Sequence, residues 1–404
     1  MALKDRLNTL RRESGVEPAS ASAGDVASRL ERLRAGSRPR SSAPPDAKRP
    51  VDPHALAAGL GARVLGDYLL CREVAVSAAA TEALSAALTT APGLPERSEI
   101  DPGSLLFVDT ETSGLAGGTG TLVFLVGLLR WEAAGPVCRQ YLLTGFGGEP
   151  ALYQSLSAEA ATASLVVSYN GKSFDAPLLR DRACLNRQAS PLAALAHLDL
   201  LAPMRRLFAT RWPDCRLATA EALLLGEHRS DDLPGDQAPL AWFDFVHRGD
   251  TQRLPGVLSH NEQDLVSLMR LLPPLLGAHQ APLAYGGDVA ATARAWLRHG
   301  SEDRARDLLA DAEACLADAE RLELARLARR AGDRDTAVRI WRALAEQGNE
   351  RAIEAIAKHY EHRLGDPSTA LAWARRLSGL EAQRRCRRLE SKRDGAMAQG
   401  ELGL

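Results

Sequence analysis

Apolar and polar positions follow two different spacings in the middle of the chain. Short apolar runs with the length of buried strands cover residues 105–108, 122–131, 137–143, 164–168 and 195–200. Apolar positions at helical spacing cover residues 150–160, 175–186, 202–208, 217–225, 239–247 and 259–272. Three strands in succession, followed by helices and strands in alternation, predict an α/β fold with a mixed sheet flanked by helices.

The segments before this region have a weaker pattern. Residues 1–50 read as a tail, because the stretch SRPRSSAPPDAKRP has no apolar face that would offset its ordering entropy. We expect a disordered or partly helical tail, and a basic arm that contacts nucleic acid is the alternative. Residues 51–100 are assigned as a lead-in, so that the α/β domain covers residues 51–280. Within the lead-in the pattern predicts, in order, a helix at 55–65, an extended piece at 68–76 and a helix at 78–88.

The last part of the chain, residues 288–404, is rich in Ala, Leu, Arg and Glu and is predicted to be all helical. Three similar segments recur in it, HGSEDRARDLL, AGDRDTAVRIW and LGDPSTALAWA, and their glycines are Gly300, Gly332 and Gly365. Such a spacing matches two-helix repeats of the tetratricopeptide type, with a period of about 34 residues. We therefore predict a helical-repeat domain, which either offers a concave surface to a partner or caps the α/β domain.

Composition and charge narrow the class of protein. The 404 residues carry 50 Lys plus Arg and 51 Asp plus Glu, and 45% are hydrophobic, as in a soluble globular protein. This balance excludes a strong overall field for polyanions but leaves room for a local basic patch. None of the six cysteines forms a CxxC pair, so neither a zinc ribbon nor a disulfide scaffold is indicated. No apolar run approaches the length of about 20 residues that a membrane span needs, and the charged N-terminus does not resemble a secretory signal. A cytoplasmic protein is expected.

Carboxylates stand where apolar strands and helices end or begin. Asp109 and Glu111 follow a buried run and are two residues apart, so on a strand they project from one face. Their repulsion would be neutralised by divalent cations such as Mg²⁺ or Mn²⁺, which prefer oxygen ligands. Asp175 begins a predicted helix after an Asn-Gly turn, where an acid is favoured by the helix dipole. Solvated acids at a strand end and an ordinary helix cap are the alternatives.

A third acidic segment contains His260 and Asp264, which share one face of a predicted helix. A neighbouring apolar stripe should dock this helix on the sheet, and it consists of Leu265, Leu268 and Leu272. The pair would then lie at the margin of the buried face, where a cleft can open. A solvated surface pair is the alternative.

Longer stretches carry a resemblance to a known family. The chain contains four acids in the order Asp109, Glu111, Asp175 and Asp264, with a histidine four residues before the last. This pattern resembles that of the DEDD exonucleases of the ribonuclease-H-like fold. More specifically, residues 100–275 resemble the YprB-like exonucleases of the mitomycin repair factor B type. The resemblance rests on FVDTETSGLAGGTGTLVFLVGLLRW, VVSYNGKSFDAPLLRDR, HLDLLAPMRRLF, DDLPGDQAPLAWFDFV and SHNEQDLVSL. A histidine at position 260 is typical of the His subgroup of the DEDD exonucleases. The three residues between it and Asp264, however, are the spacing of the Tyr subgroup.

The resemblance implies a two-metal 3′–5′ exonuclease that uses two Mg²⁺ or Mn²⁺ ions and releases 5′-monophosphates. Asp109 would bridge both ions, Glu111 and Asp264 would hold the ion that binds the attacking water, and Asp175 would hold the other. His260, with an unperturbed pKa of about 6.5, would be the general base.

The same resemblance implies contacts with nucleic acid and, through the helical repeats, with a partner. Expected contacts to the substrate are Thr112, Tyr169, Asn170 and Lys172, with DNA favoured over RNA and a role in repair. A helicase is a possible partner of the repeats, and no membrane is involved. The alternatives are a non-catalytic nucleic-acid binder, a helical-repeat scaffold, or an endonuclease on the same fold. His197 and Asp199 are expected to make structural hydrogen bonds.

Overall fold

The computed structural model describes residues 51–77, 94, 101–114, 120–229 and 233–401. The predictions for the tail at 1–50 and for a helix at 78–88 lie outside the described residues. No helix in the described part of the chain is long and apolar enough to cross a membrane.

The strands of the described residues form a mixed sheet, as the pattern of apolar runs predicts, and it has seven strands, one more than the five runs and the extended piece at 68–76 indicated. They are β1 (Ala62–Gly66), β2 (Leu69–Ala75), β3 (Leu105–Thr112), β4 (Val123–Glu132), β5 (Gly135–Leu143), β6 (Leu165–Ser168) and β7 (Ala196–Asp199). Their order across the sheet is β1-β2-β5-β4-β3-β6-β7. β3 pairs antiparallel with β4 and parallel with β6, and β6 pairs parallel with β7. The lead-in therefore belongs to the sheet, because it supplies β1 and β2, and the helix predicted there ends earlier than expected.

Helices cover both faces of the sheet. The α/β domain contains α1 (Pro53–Gly59), α2 (Glu149–Ala160), α3 (Asp175–Leu185), α4 (Leu201–Phe208), α5 (Leu217–Ala220), α6 (Ala238–Arg248) and α7 (Leu254–Gln280). Neighbouring residues of β3 alternate between two cores, since Leu106 packs with Trp242 of α6 whereas Phe107 packs with Leu268 of α7. The side chains that continue the Phe107 face of β3 thus point toward α7.

The C-terminal part is helical, as predicted. Its helices are α8 (Val289–Arg298), α9 (Glu302–Asp311), α10 (Asp318–Arg330), α11 (Arg334–Glu346), α12 (Glu350–His359), α13 (Pro367–Ala374) and α14 (Leu380–Glu401). The repeated glycines Gly300, Gly332 and Gly365 lie in turns between helices with positive φ, which a residue without Cβ adopts readily. Asp333 and Asp366 follow two of them and cap α11 and α13. The repeat in the sequence is thus a repeat of turn and cap, and its assignment to the tetratricopeptide type stays a prediction.

Candidate active site

Asp109 lies within β3 on the face that α7 covers. Its partner across the β3–β4 ladder is Gly127. A Cβ on Gly127 would lie 2.1 Å from Oδ1 of Asn261 and 2.7 Å from Cδ1 of Leu265, both on α7. The absence of a side chain at this position therefore allows α7 to approach the strand closely enough for Asn261 to reach Asp109. Asp109 and Glu111 are inside the strand rather than just beyond it, as the apolar run had suggested.

A chain of buried amides fixes the Asp109 carboxylate. Nδ2 of Asn261 donates to Oδ2 of Asp109 at 2.8 Å, and Oδ1 of Asn261 accepts from Nε2 of Gln140 at 2.9 Å. Both amide side chains are fully buried. Arg72 closes the chain by donating to Oε1 of Gln140 at 2.7 Å and to Glu262 at 2.6 Å. Because buried amides are costly to leave unpaired, this network holds Asp109 in one orientation.

The imidazole of His260 lies between two carboxylates. Its Nε2 is 4.0 Å from Oε1 of Glu111 on β3 and 3.9 Å from Oδ2 of Asp264, one turn further along α7. The predicted stripe that docks α7, Leu265, Leu268 and Leu272, is fully buried, as expected. His260 and Asp264 therefore do lie at the margin of the docked face, beside the strand that carries Glu111.

The sequence did not predict the role of Arg229. Its Nη2 lies 2.5 Å from Oδ1 of Asp264. The same guanidinium donates through Nε to Oε2 of Glu221 at 2.8 Å and through Nη2 to Oε1 at 2.6 Å. Glu221 begins the π-helical turn that continues α5, and it is buried. A buried ionic cluster of one arginine and two acids thus flanks the site.

Asp175 begins α3 and is held from β3. Oγ1 of Thr110, between the two acids of the strand, donates to its Oδ1. A Cβ on Gly171 would lie 2.8 Å from Oδ2 of Asp175 and 2.7 Å from Oγ of Ser168, so the turn before α3 packs tightly on this acid. The fourth acid is therefore tied to the same strand as Asp109 and Glu111.

The HLDL segment has the structural role that the sequence indicated. Asp199 accepts hydrogen bonds from the backbone N–H groups of Asn170 at 2.7 Å and Lys172 at 3.0 Å. Nε2 of His197 is 2.8 Å from Oγ of Ser168. Asn170 adopts a left-handed φ of 66°, which asparagine tolerates better than most residues. These contacts shape the turn that leads into Asp175.

The expected substrate contacts have different surroundings. Tyr169 is half-buried against the second core, and its hydroxyl donates to the carbonyl of Cys215 at 2.6 Å. Oγ1 of Thr112 donates to the carbonyl of Gly114 at 3.0 Å, and Lys172 is exposed. Phe174, which the sequence did not single out, is 63% exposed immediately before Asp175. The exposed aromatic surface beside the site thus belongs to Phe174 more than to Tyr169.

Comparisons of the sequence with known proteins identify related chains. The sequence pattern of the RNase H superfamily matches residues 106–275. The protein YprB of Bacillus subtilis (strain 168) is 35% identical over 280 residues, which are 66% of this chain and 67% of YprB. This chain belongs to the YprB family. The family B DNA polymerase of the hyperthermophilic archaeon Pyrobaculum calidifontis is similar over 52% of this chain and 30% of the polymerase, with 15% identity and a TM-score of 0.36.

The acids of this YprB-family protein form one electrostatic unit. Burial raises the pKa of Asp109 well above its usual range, and the neighbouring charges of Asp264, Glu111 and Asp175 raise it further, whereas the hydrogen bond from Asn261 lowers it. Burial also raises the pKa of Asp264, against the attraction of Arg229, and the pKa of Asp175, against the hydrogen bond from Thr110. Bringing four carboxylates together therefore costs free energy that a bound cation would offset.

The donor set fits a hard divalent cation by its chemistry. Carboxylate oxygens are the preferred protein ligands of Mg²⁺ and Mn²⁺, and the charges of three of these acids raise the pKa of the fourth, Asp109. In the described residues, however, no three Asp, Glu, His or Cys side chains converge into a finished metal cage. Asp264 is paired with Arg229 through Oδ1, so a cation on this acid would have to share the carboxylate with the arginine or displace it.

Proposed function

We propose that this YprB-family protein is a metal-dependent 3′–5′ exonuclease of the DEDD superfamily. Its ribonuclease-H-like domain belongs to a superfamily of nucleases. The observation that carries the proposal is the gathering of four acids at β3: Thr110, between Asp109 and Glu111, binds Asp175 of α3. His260 of α7 lies 4.0 Å from Glu111 and 3.9 Å from Asp264. An acidic cluster of this kind has no use in a fold that only binds the anionic backbone of nucleic acid, because it repels that backbone unless cations are bound.

The chain's own residues have distinct tasks in the proposed reaction. Asp109, Glu111, Asp175 and Asp264 would hold two Mg²⁺ or Mn²⁺ ions. When bound, such ions activate water and stabilise the leaving oxygen of a phosphodiester. Asn261 keeps the carboxylate of Asp109 oriented through the buried amide chain, and Thr110 does the same for Asp175.

His260 is the candidate general base. Its Nε2 would accept the proton of the attacking water, since an imidazole is suited to this task near neutral pH. Glu111 and Asp264, about equally far from Nε2, would stabilise the imidazolium that forms. The base would thus lie beside two of the acids that are proposed to hold the metals.

The resemblance to mitomycin repair factor B type exonucleases favours DNA over RNA and a role in repair. Lys172 and Phe174 are exposed next to Asp175, where a cationic and an aromatic side chain suit a phosphate and a terminal base. Thr112, Tyr169 and Asn170 complete the proposed contacts. We also keep a helicase as a candidate partner of the helical repeats.

Digestion of end-labelled oligonucleotides tests the proposal. Single- and double-stranded DNA and RNA are incubated with Mg²⁺, with Mn²⁺ or with EDTA, and a blocked 3′ end distinguishes an exonuclease, which stalls, from an endonuclease, which does not. We expect Asp109→Ala to abolish metal-dependent digestion. Asp181→Ala is the matched control, because this aspartate is exposed on α3 and pairs only with exposed Arg180 among the described residues. Equal activity of Asp109→Ala and the wild type would refute the proposal.

A further inference from the structure

Three helices of the C-terminal part, α10, α11 and α12, enclose a groove. It consists of adjoining cavities, two of them with volumes of about 470 Å³ and about 680 Å³. His359 and Arg363 line both. The buried ring of Trp341 lines the first cavity. The groove is therefore a continuous concave surface on the helical region, away from the acids of the candidate active site in sequence and in residue content.

The groove concentrates positive charge in a protein that is nearly neutral overall. Five Arg or Lys side chains line the first cavity, against a single carboxylate, that of Glu354. This carboxylate is already paired with Lys358 at 2.9 Å and with Arg385 at 2.8 Å. The net charge of the whole chain is −1, so the excess of cations in the groove is a local feature and not a consequence of composition.

Several of these cations have no internal task. The side chains of Arg329, Arg334, Arg351 and Arg363 are exposed and make no hydrogen bond or ion pair with any described residue. Most other arginines of the helical region are paired, for example Arg339 with Glu313 at 2.7 Å. Burial lowers the pKa of His359, and repulsion by Arg334, Arg342 and Arg363 lowers it further. These four arginines thus add positive charge to the groove without an ion pair to a described acid, although Asp335 and Glu346 also line the second cavity.

We propose that this groove binds the sugar-phosphate backbone of the strand that the α/β domain digests. The inference rests on the proposed function, which supplies a polyanionic substrate. Guanidinium groups bind phosphate oxygens through paired hydrogen bonds, and a row of such groups in a concave surface tracks a single strand without reading its sequence. The helical region then holds the substrate while its end is cut elsewhere.

Two triple variants with the same loss of charge test the groove. The groove variant is R329Q/R351Q/R363Q, in the full-length protein. The control variant is R306Q/R330Q/R384Q, whose arginines line none of these cavities and pair with surface acids of the helical region. Binding of a labelled single-stranded DNA is measured by fluorescence anisotropy in EDTA, over a range of salt concentrations, so that cutting does not contribute. Circular dichroism checks that both variants fold.

We expect the groove variant to bind about tenfold more weakly or worse, and the control variant to bind as the wild type. The slope of log affinity against log salt should fall by about two, since each lost phosphate contact on a single strand contributes about 0.7.

Equal affinity and slope in both variants would overturn the inference while leaving the exonuclease proposal intact. A groove variant that loses affinity for polyglutamate but not for DNA would also overturn it, in favour of an acidic protein partner. If the wild type neither binds DNA in EDTA nor digests it with Mn²⁺, the proposed function itself fails.

Discussion

Nη2 of Arg229 lies 2.5 Å from Oδ1 of Asp264, so one of the four site acids is paired with a positively charged side chain. The same guanidinium pairs through two hydrogen bonds with Glu221, which is buried. Because Arg229 lies on Oδ1, a metal ion bound by Asp264 would have to share the carboxylate with this arginine or displace it. The arginine would therefore couple cation binding at the proposed site to the packing of the turn after α5.

Replacing Arg229 by Gln should destabilise the protein most strongly when no metal is present. Two buried carboxylates lose their charged partner, and breaking a buried pair from one side costs about 3–5 kcal/mol. Because Asp264 is then free for a cation, Mn²⁺ should raise the unfolding temperature more in this variant than in the wild type. Thermal unfolding in EDTA and in Mn²⁺ measures both effects.

Arg270→Gln is the matched control for this experiment. Arg270 pairs at 2.5 Å with Glu227, and both side chains are over a third exposed. Since exposed pairs contribute about 0–1 kcal/mol, its unfolding temperature should hardly change. A metal-induced shift of the same size in Arg229→Gln and the wild type would show that Arg229 and the cation do not share Asp264.

Gly127→Ala should impair activity from a strand that carries none of the four site acids. The new Cβ would lie 2.1 Å from Oδ1 of Asn261, so α7 or the amide has to move and Asp109 loses its hydrogen bond. We expect a loss of about 1–3 kcal/mol in stability and a fall of kcat rather than a rise of KM. In the control Gly59→Ala, the added methyl meets open space, so stability and kcat should stay near the wild type. A Gly127→Ala enzyme with normal kcat would mean that the amide chain does not position Asp109.

Local patterns predicted the parts of the fold that depend on local burial. β3 and β4 are apolar runs buried on both faces, and their signals need no knowledge of their partners. β1 was missed, since residues 62–66 read as the end of a helix and become a strand by pairing with β2. Such pairing is tertiary and overrides the local preference.

In the candidate site, too, the sequence indicated the residues with a local signal and not those that depend on tertiary contacts. The four acids and His260 were singled out by their positions in strands and helices, and the resemblance then combined them into one site. Arg229 and Gln140 gave no signal, because their contacts with Asp264 and Asn261 join separate segments of the chain. Asn261 had one. It occupies the position that continues the stripe of Leu265 and Leu268 along α7, and a polar residue at a buried position requires a polar partner.

Phe174→Ala should weaken substrate binding without a cost in stability. The ring is 63% exposed directly before Asp175, and stacking of a base on an aromatic ring contributes about 1–3 kcal/mol. The expected result is a higher KM for short oligonucleotides with an unchanged unfolding temperature. Leu185→Ala, at the other end of α3 and 55% exposed, is the control and should leave KM unchanged. An equal KM in both variants would assign base contact to other residues, Tyr169 first among them.

His279 should make the stability of the protein depend on pH in the mildly acidic range. Its ring is buried in the last turn of α7, with Nδ1 2.9 Å from the carbonyl of Leu275 and Nε2 3.0 Å from Nη1 of Arg206. Burial lowers its pKa to about 3, against the hydrogen bond to Leu275. Below about pH 6.5 the unfolded chain therefore binds a proton that the folded protein excludes, and the free energy of unfolding falls by up to about 1.4 kcal/mol per pH unit until about pH 3.

In His279→Gln the titrating group is absent, so this contribution to the pH dependence should disappear. Urea unfolding at about pH 7 and about pH 5 should show the wild type losing about 2 kcal/mol more than the variant between the two conditions. His299→Gln is the control, because that histidine is exposed after α8. Its replacement should leave the change in the free energy of unfolding with pH as it is in the wild type. If His279→Gln keeps the slope of the wild type, the imidazole is not excluded from protonation in the folded protein, and the hydrogen bond from Arg206 does not hold it neutral.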